Sequence, residues 1–554
     1  MKRFKISAIF ISLSFLTAAL AACTDPGTDS SGSGASACEV FPAEYTDAVT
    51  ISDFNGISEF TGDLSDNPVE NGICVSPYYT MKVNGAEVPV YAARSANGIH
   101  SFAYLDVKSG ETDGSFSLDV ELSPTDLSTV LDDSSPEVVV LPERNGVAAE
   151  IEGETVRATI DKFGSFSFAF NKNYIEPLTL MVKEYEEFSA PEGYTVQNVE
   201  PGTYTADQTD FTQENTVYYF GKGTYKTDCI RLPSNSVLYL ERGAYIAVQP
   251  SEPTSVQNAI TNAGAENISI EGRGLVDFSA CNGGSDGNKS GIVFNEVKNV
   301  SLLGLTVINS QTWTMCFNAC EDVHVKDIIN FGYRTFADGV MLSDCADGVV
   351  EDCFIRTGDD AFETKSTTSA NNGKYTDNIL FQNNAAWTDK AVAYGCIYES
   401  SKDTQNVTFL NNSVGFALGT WSSHLGCNVI QMGNNPQATM HDIHFIGTEI
   451  YTSYNQAICN IYIGGSGGQG AGWGKVNKIY FRDITAKRNY GLVLNLRSYT
   501  QENTEIKNIY LDNVVSNGTL FTQELVSDDT YFKDSTQEGV FFSMSLYINT
   551  LDEE

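Results

Sequence analysis

Basic residues are scarce in this chain. Only 33 lysines and arginines stand against 71 aspartates and glutamates, giving a formal charge of −38 over 554 residues. So acidic a surface argues against nucleic acid as a partner and disfavours polyanionic substrates. Beyond the N-terminus no apolar run is long enough to span a bilayer. The twelve cysteines include no Cys-x-x-Cys and no Cys/His cluster at zinc spacing, so the expectation is no metal and no other cofactor. Helical apolar periodicity is missing as well. Gly (47), Phe (31) and Tyr (27) are plentiful, a composition that suits β-rich, extracytoplasmic, carbohydrate-facing proteins. At this length two domains are expected.

Lys2, Arg3 and Lys5 precede a short apolar stretch from Ile6 to Ala19, and Leu20-Ala21-Ala22-Cys23 then resembles the bacterial lipobox. Residues 1–22 are therefore expected to be a lipoprotein signal peptide, with Cys23 lipidated after cleavage. The Gly- and Ser-rich residues 23–37 are expected to be a flexible tether. The expected location is the bacterial cell envelope, with membrane contact through the lipid anchor alone.

From residue 267 a short strand signature recurs. It begins at Asn267, Asn299, Asp322, Asp347, Asn378, Asn406, Asp442, Lys478 and Asn508, at intervals of 23 to 36 residues. Most of these segments alternate apolar and polar residues, and the leading Asn or Asp predicts a tight turn before each strand. Strands at this period predict a right-handed single-stranded parallel β-helix over 201–554. A leucine-rich repeat is the rival solenoid, but its Leu-x-x-Leu-x-Leu spacing is missing. Cys320 and Cys345, one coil apart, predict stacked thiols inside the solenoid rather than a disulfide or metal ligands. Residues 38–200 differ: segments such as Tyr79-Thr-Met-Lys-Val and Ser165-Phe-Ser-Phe-Ala-Phe are short strands divided by Gly, Asp, Asn and Pro. They predict a small β-sandwich, so the chain as a whole is expected to be all-β.

Three aspartates stand out within the repeat. Asp338 lies in Phe336-Ala337-Asp338-Gly339, and Asp359-Asp360 follow 21 residues later in Thr357-Gly358-Asp359-Asp360-Ala361. Twenty-one residues is about one coil, which places all three carboxylates on one patch. Adjacent carboxylates resist joint ionisation, so a proton donor is expected beside ionised bases, the equipment for cleaving a glycosidic bond. The alternative is turn chemistry, since Asp and Gly dominate turns.

With Asn309-Ser310-Gln311-Thr312-Trp313, these motifs resemble the polygalacturonase family and its β-helix relatives, the dextranases and isopullulanases. Polygalacturonases carry Asn-Ser-Pro-x-Trp, Asn-Thr-Asp-Gly and Gly-Asp-Asp on consecutive coils. The sandwich ahead of the solenoid is more similar to the dextranase branch. The resemblance implies inverting hydrolysis of a polysaccharide or oligosaccharide, galacturonan-type or α-glucan-type, with Asp359 as general acid and Asp338 and Asp360 as bases. Two departures bear on the sugar. Trp387-Thr-Asp-Lys-Ala-Val-Ala-Tyr-Gly stands where the family has Gly-His-Gly, with Lys390 in the histidine's place. The family's Arg-x-Lys grip on galacturonate has no clear counterpart, although Arg497 lies on a later coil.

Further candidates surround the acids. Trp313 is either a sugar-stacking platform or a packing residue. Asp389 and Lys390, one coil past the acid pair, are candidates to bind hydroxyls or to restrain a carboxylate, with a solvated surface pair as the alternative. Lys365 matches the lysine of the family's Ile-Lys-Ser and is a further substrate-binding candidate; Glu363 is a candidate fourth acid or, more simply, an exposed strand residue. Trp421 and His424 sit in the expanded 406–442 interval and either wall a cleft or pack in a loop. The Gly-rich run from Gly464 to Gly474 reads as a cleft loop, too irregular for a phosphate cradle. Two rival functions remain: a β-helix polysaccharide lyase with Lys390 or Arg497 as base, and a non-catalytic glycan-binding adhesin.

Overall fold

Short alternating strands between Glu39 and Glu184 close into two facing sheets of seven and five strands, antiparallel except where Leu178–Glu184 pairs parallel with Gly98–Lys108. Their inward residues, among them Met81, Leu105, Leu122, Phe166 and Phe168, form a core of their own. This computed structural model describes residues 38–42, 73–76, 78–108, 115–124, 137–171, 173–249, 258–281, 291–367, 375–397, 400–419, 426–433, 435, 437–454, 457–464, 472–500, 502–541 and 545–550. The expected signal peptide, tether and Cys23 lie outside them, as do Trp421 and His424.

Parallel pairing begins at Thr195–Val199, which pairs with Thr216–Phe220, so the expected division at 200/201 falls inside the first coil. From there the chain winds as a parallel β-helix with two continuous sheets, of 25 and 11 strands. Each central coil has three strands. One coil is Glu321–Lys326, Ile329–Phe331 and Val340–Ser343, and the next is Ala346–Glu351, Phe354–Thr357 and Phe362–Lys365. Inward side chains repeat at the same place on successive coils. Phe381, Phe409, Phe445 and Phe481 stack with ring centroids 4.6 to 5.2 Å apart, each contributing about 2–3 kcal/mol by burial. Cys320 and Cys345 are buried in that core, and no disulfide is present among the described residues.

The Asn and Asp residues of the repeat do bend the chain, but not ahead of each strand as expected. They sit within the strands as single residues in the left-handed region, from Asn508 at φ 52° to Asn299 at φ 58°. Asn and Asp tolerate that region best, and Lys478, at φ 56°, joins them. Side-chain amides then tie coil to coil, as in Asn299 Nδ2 to Asn267 Oδ1 and Asn267 Nδ2 to Asn235 Oδ1, both 2.8 Å.

The sandwich is not a separate bead. One face of its seven-stranded sheet, with Tyr91, Phe102 and Tyr104, shares a buried apolar cluster with Phe331, Phe354 and Trp387 of the solenoid. These solenoid residues lie on the second strand of each coil, immediately before the turns that carry the acidic motifs.

Candidate active site

All four motif-bearing turns occupy the same corner, between the second and third strands of successive coils: 309–314, 332–339, 358–361 and 389–393. Backbone hydrogen bonds lock them together. Thr314 N donates to Asp338 O at 2.9 Å, Gly339 N to Asp360 O at 2.8 Å, and Ala361 N to Val392 O at 2.8 Å. Asp338 thus lies over Asp360, one coil apart, as the 22-residue gap between them implies. The motif glycines permit this approach: a Cβ on Gly339 would lie 2.3 Å from Ala361 O, and one on Gly358 2.4 Å from Arg334 O.

The three aspartates are buried, as are Glu363 and Lys365 on the strand that follows. Asp359 Oδ2 accepts from Phe336 N at 3.1 Å, and Asp360 Oδ1 accepts from Val392 N at 2.9 Å. The Lys365 ammonium is 3.2 Å from Glu363 Oε2 and 3.8 Å from Asp338 Oδ2. The ammonium thus lies between two of the four clustered carboxyls. Burial first, then the Glu363 and Asp359 carboxylates, hold Asp338 well above the usual carboxylate range, with Lys365 opposing. The shift belongs to the cluster as a whole rather than to Asp338 alone. Asp338, Asp360 and Glu363 each place an oxygen within 4.8 Å of the others, the set a divalent cation would take. The positive charge beside Glu363 and Asp338 is the Lys365 ammonium.

Glu363 corrects the sequence reading, since it is 0% exposed rather than an exposed strand residue. Phe362 and Thr364 alternate with it, and Met341 and Ser343 pair with Glu363 and Lys365. Phe362 belongs to the core, so period-2 alternation turns Glu363 and Lys365 to the outside of the coil, beside the acids. That alternation was the available signal for Glu363. Lys365 is placed within the acid cluster itself.

Two aromatic side chains rim the acids. Trp313 is 44% exposed one coil before Asp338, which favours a platform over packing. Phe336, 43% exposed, sits two residues before Asp338 at φ +73°, a conformation that costs a bulky residue of the order of 1–3 kcal/mol. Sequence reasoning missed it; the signal was a Phe standing where the related motif has Asn. Lys390 Nζ donates to Thr335 Oγ1 at 2.8 Å, bridging from its own turn to the one bearing Asp338.

The remaining candidates lie elsewhere. Asp389, read as a hydroxyl binder or half of a solvated pair, is neither. It is fully buried, 3.0 Å from Arg356 Nη2, and faces the sandwich, where Ala96 N and Asn97 Nδ2 donate to it at 3.1 and 3.2 Å. The two neighbours diverge: Lys390 Nζ meets the Asp338-bearing turn, and Asp389 meets the sandwich. Arg497 is four strands beyond Lys365 on the 11-stranded sheet, about 19 Å at ~4.8 Å per strand. Its guanidinium lies 4.3 Å over the Tyr462 ring. The strands between, Tyr394–Cys396, Asn428–Met432 and Cys459–Ile463, carry no lysine or arginine.

Residues 195–512 match the family described as Glycosyl hydrolases family 28. Among solved structures, Dex49A from Penicillium minioluteum superposes with a TM-score of 0.62 at 12% identity, covering 93% of this chain and 100% of that one. A Yersinia enterocolitica Family 28 exopolygalacturonase gives 0.48 at 12% identity, covering 72% and 89%. A hyperthermoactive exopolygalacturonase from Thermotoga maritima gives 0.44 at 16%, covering 55% and 85%. The likeness to Dex49A is one of fold. No curated protein matches the sequence.

Proposed function

The chain belongs to glycosyl hydrolases family 28, a hydrolase of glycosidic bonds in polysaccharide, and on that footing we propose that its substrate is a neutral glycan cleaved with inversion. The observation that carries the neutral reading is the floor of the 11-stranded sheet. From Lys365 to Arg497 its strands bear no cation, and Lys365 itself is engaged by Glu363 and Asp338. A uronate carboxylate at the scissile bond would enter a site already rich in carboxyls, where Lys365 is held by two of them and Lys390 reaches Thr335. Trp313 and Phe336 instead offer apolar faces to a pyranose ring.

In the chemistry that follows, Asp359 protonates the leaving oxygen, while Asp338 and Asp360 align and deprotonate the attacking water. Lys365 faces Glu363 and Asp338 and opposes the upward shift of the Asp338 carboxyl. Asp360 Oδ1 is oriented by the Val392 N–H it accepts.

Digestion of a panel of neutral α-glucans beside polygalacturonate tests the substrate, with Asp359→Asn as control. Release from a neutral glucan alone is expected, and release from polygalacturonate alone would overturn the neutral reading. The motif running from Asn309 to Trp313 favours that galacturonan alternative. Aryl glycosides with leaving groups that need no proton separate the roles. Asp359→Asn keeps most of its rate on them, whereas Asp338→Asn and Asp360→Asn do not.

The lipobox-like Leu20-Ala21-Ala22-Cys23 supports a cell-envelope lipoprotein anchored through Cys23. Cys23→Ser is expected to move the protein from the membrane to the soluble fraction; retention on the membrane would refute the anchor.

A further inference from the structure

The turn at 388–392 touches every acid-bearing element. Thr388 Oγ1 donates to Asp359 O at 3.0 Å, Val392 N donates to Asp360 Oδ1 at 2.9 Å, and Lys390 Nζ reaches Thr335 in the Asp338 turn at 2.8 Å. It is braced internally by Ala391 N donating to Thr388 Oγ1 at 3.0 Å, and Asp389 N donates to Thr357 O at 2.9 Å. What holds this turn from behind is not the solenoid alone. The hairpin of the sandwich that joins Tyr91–Ser95 to Gly98–Lys108 presses its tip against it. Asn97 Nδ2 donates to Asp389 O at 2.8 Å and to Asp389 Oδ1 at 3.2 Å, and Ala96 N donates to Asp389 Oδ2 at 3.1 Å.

The same hairpin steadies the two preceding coils. Arg356, three residues before Asp359, is wholly buried and spends its donors on Asp389 Oδ1 and Oδ2 (3.0 and 3.3 Å), on Ile175 O and on His100 Nδ1 (3.1 Å). A guanidinium only donates, so His100 Nδ1 is the acceptor and its Nε2 carries the hydrogen toward Thr179 Oγ1 at 2.7 Å. Arg94, on the first strand of the hairpin, lies 4.3 Å over the ring of Tyr333, in the turn that presents Asp338.

We propose that the Ala96–Asn97 tip is a positioning element of the active site: through Asp389 it sets the 388–392 turn and hence the geometry of Asp360 and Asp359. The catalytic unit is then the solenoid plus this hairpin, and Asn97 is a positioning residue supplied from outside the family's matched segment, which starts at residue 195. The inference rests on the assignment of Asp360 as a base.

Asn97 is half-buried in a turn, so Asn97→Ala removes two hydrogen bonds without opening a core cavity. Its kcat should fall about tenfold with KM within twofold, since misplacement of a reacting group acts on the transition state. Asn97→Gln, which keeps an amide donor, should recover part of the loss. Arg144→Ala serves as the interface control. Arg144 also joins sandwich to solenoid, donating to Asn412 O at 3.0 Å, but contacts none of the acid-bearing turns. It should lower the melting temperature and leave kcat unchanged. Unchanged kcat in Asn97→Ala, or an equal loss in Arg144→Ala, would overturn the proposal. Asp360→Asn measured alongside keeps the two readings apart: if that variant keeps full kcat, the assignment of Asp360 fails rather than the role of Asn97.

Discussion

Two buried ionic groups lie back to back in the same three coils, and they are built on opposite rules. Behind the turns, Arg356 and Asp389 are matched one to one, and His100, Ile175, Ala96 and Asn97 meet their remaining donors and acceptors. In front, four carboxyls crowd one another with Lys365 between two of them, and Asp338 is driven far up its scale. A balanced network fixes geometry; a crowded one raises the proton affinity of a carboxyl such as Asp338. His100 follows the first rule. Burial, and then the Arg356 charge, push it well below its ordinary range, so it stays neutral and only orients.

Breaking the balanced side should give the largest effect on stability. Arg356→Met leaves Asp389 buried without its cation and should cost about 3–5 kcal/mol, read by chemical denaturation. Unbalancing the front less should do the reverse. Asp338→Asn removes a buried group whose folded pKa exceeds its unfolded value. The folded state binds the extra proton between those two values, so wild-type stability falls as pH rises through that window. The variant should therefore melt about 1–3 °C higher than wild type at pH 7 while losing activity. That advantage should vanish below about pH 4, where Asp338 is protonated in both states.

Glu363→Gln sharpens the comparison further. It removes the carboxylate that presses hardest on Asp338 and leaves Lys365 one fewer carboxylate to face, so the Asp338 pKa drops. A base must be ionised, and the acidic limb of the pH–rate profile should move to lower pH. No shift would separate Glu363 from the titrating cluster. The smallest effect is expected at the rim. Phe336→Asn places a left-handed-tolerant residue at φ +73° and should gain about 1 kcal/mol of stability. It also loses an aromatic face worth about 1 kcal/mol, so KM should rise about fivefold.

Much of the front was legible in the sequence. A repeat fixes which residues stack, so the gap from Asp338 to Asp359 and the shared corner with Trp313 could be read by counting. The back was not, because its partners come from residues 96–100 and Ile175, 181 to 293 positions away, and no period links them. Adjacent Asp389 and Lys390 look alike as a charged pair, although one faces the sandwich and the other the acid turns. A signal for the covered face did exist. On the second strands, Ile329 and Phe331 point the same way, as do Phe354 and Arg356, and Ala385 and Trp387. Large apolar side chains on the outer face of a coil require a cover, and the sandwich provides it.

The buried cysteines give the solenoid a set of natural probes. From Cys229 to Cys459 the described thiols lie along much of its axis, each within the packed interior or a few ångströms of it. A thiol reagent can modify one only after the coil around it opens, so labelling followed by peptide mapping reads local unfolding position by position. Coils under the sandwich, which hold Cys353, should label last, and those near the ends of the stack first. On the proposed cell-envelope location, the same burial sets a deadline: every coil must close before its sulfur meets an oxidant.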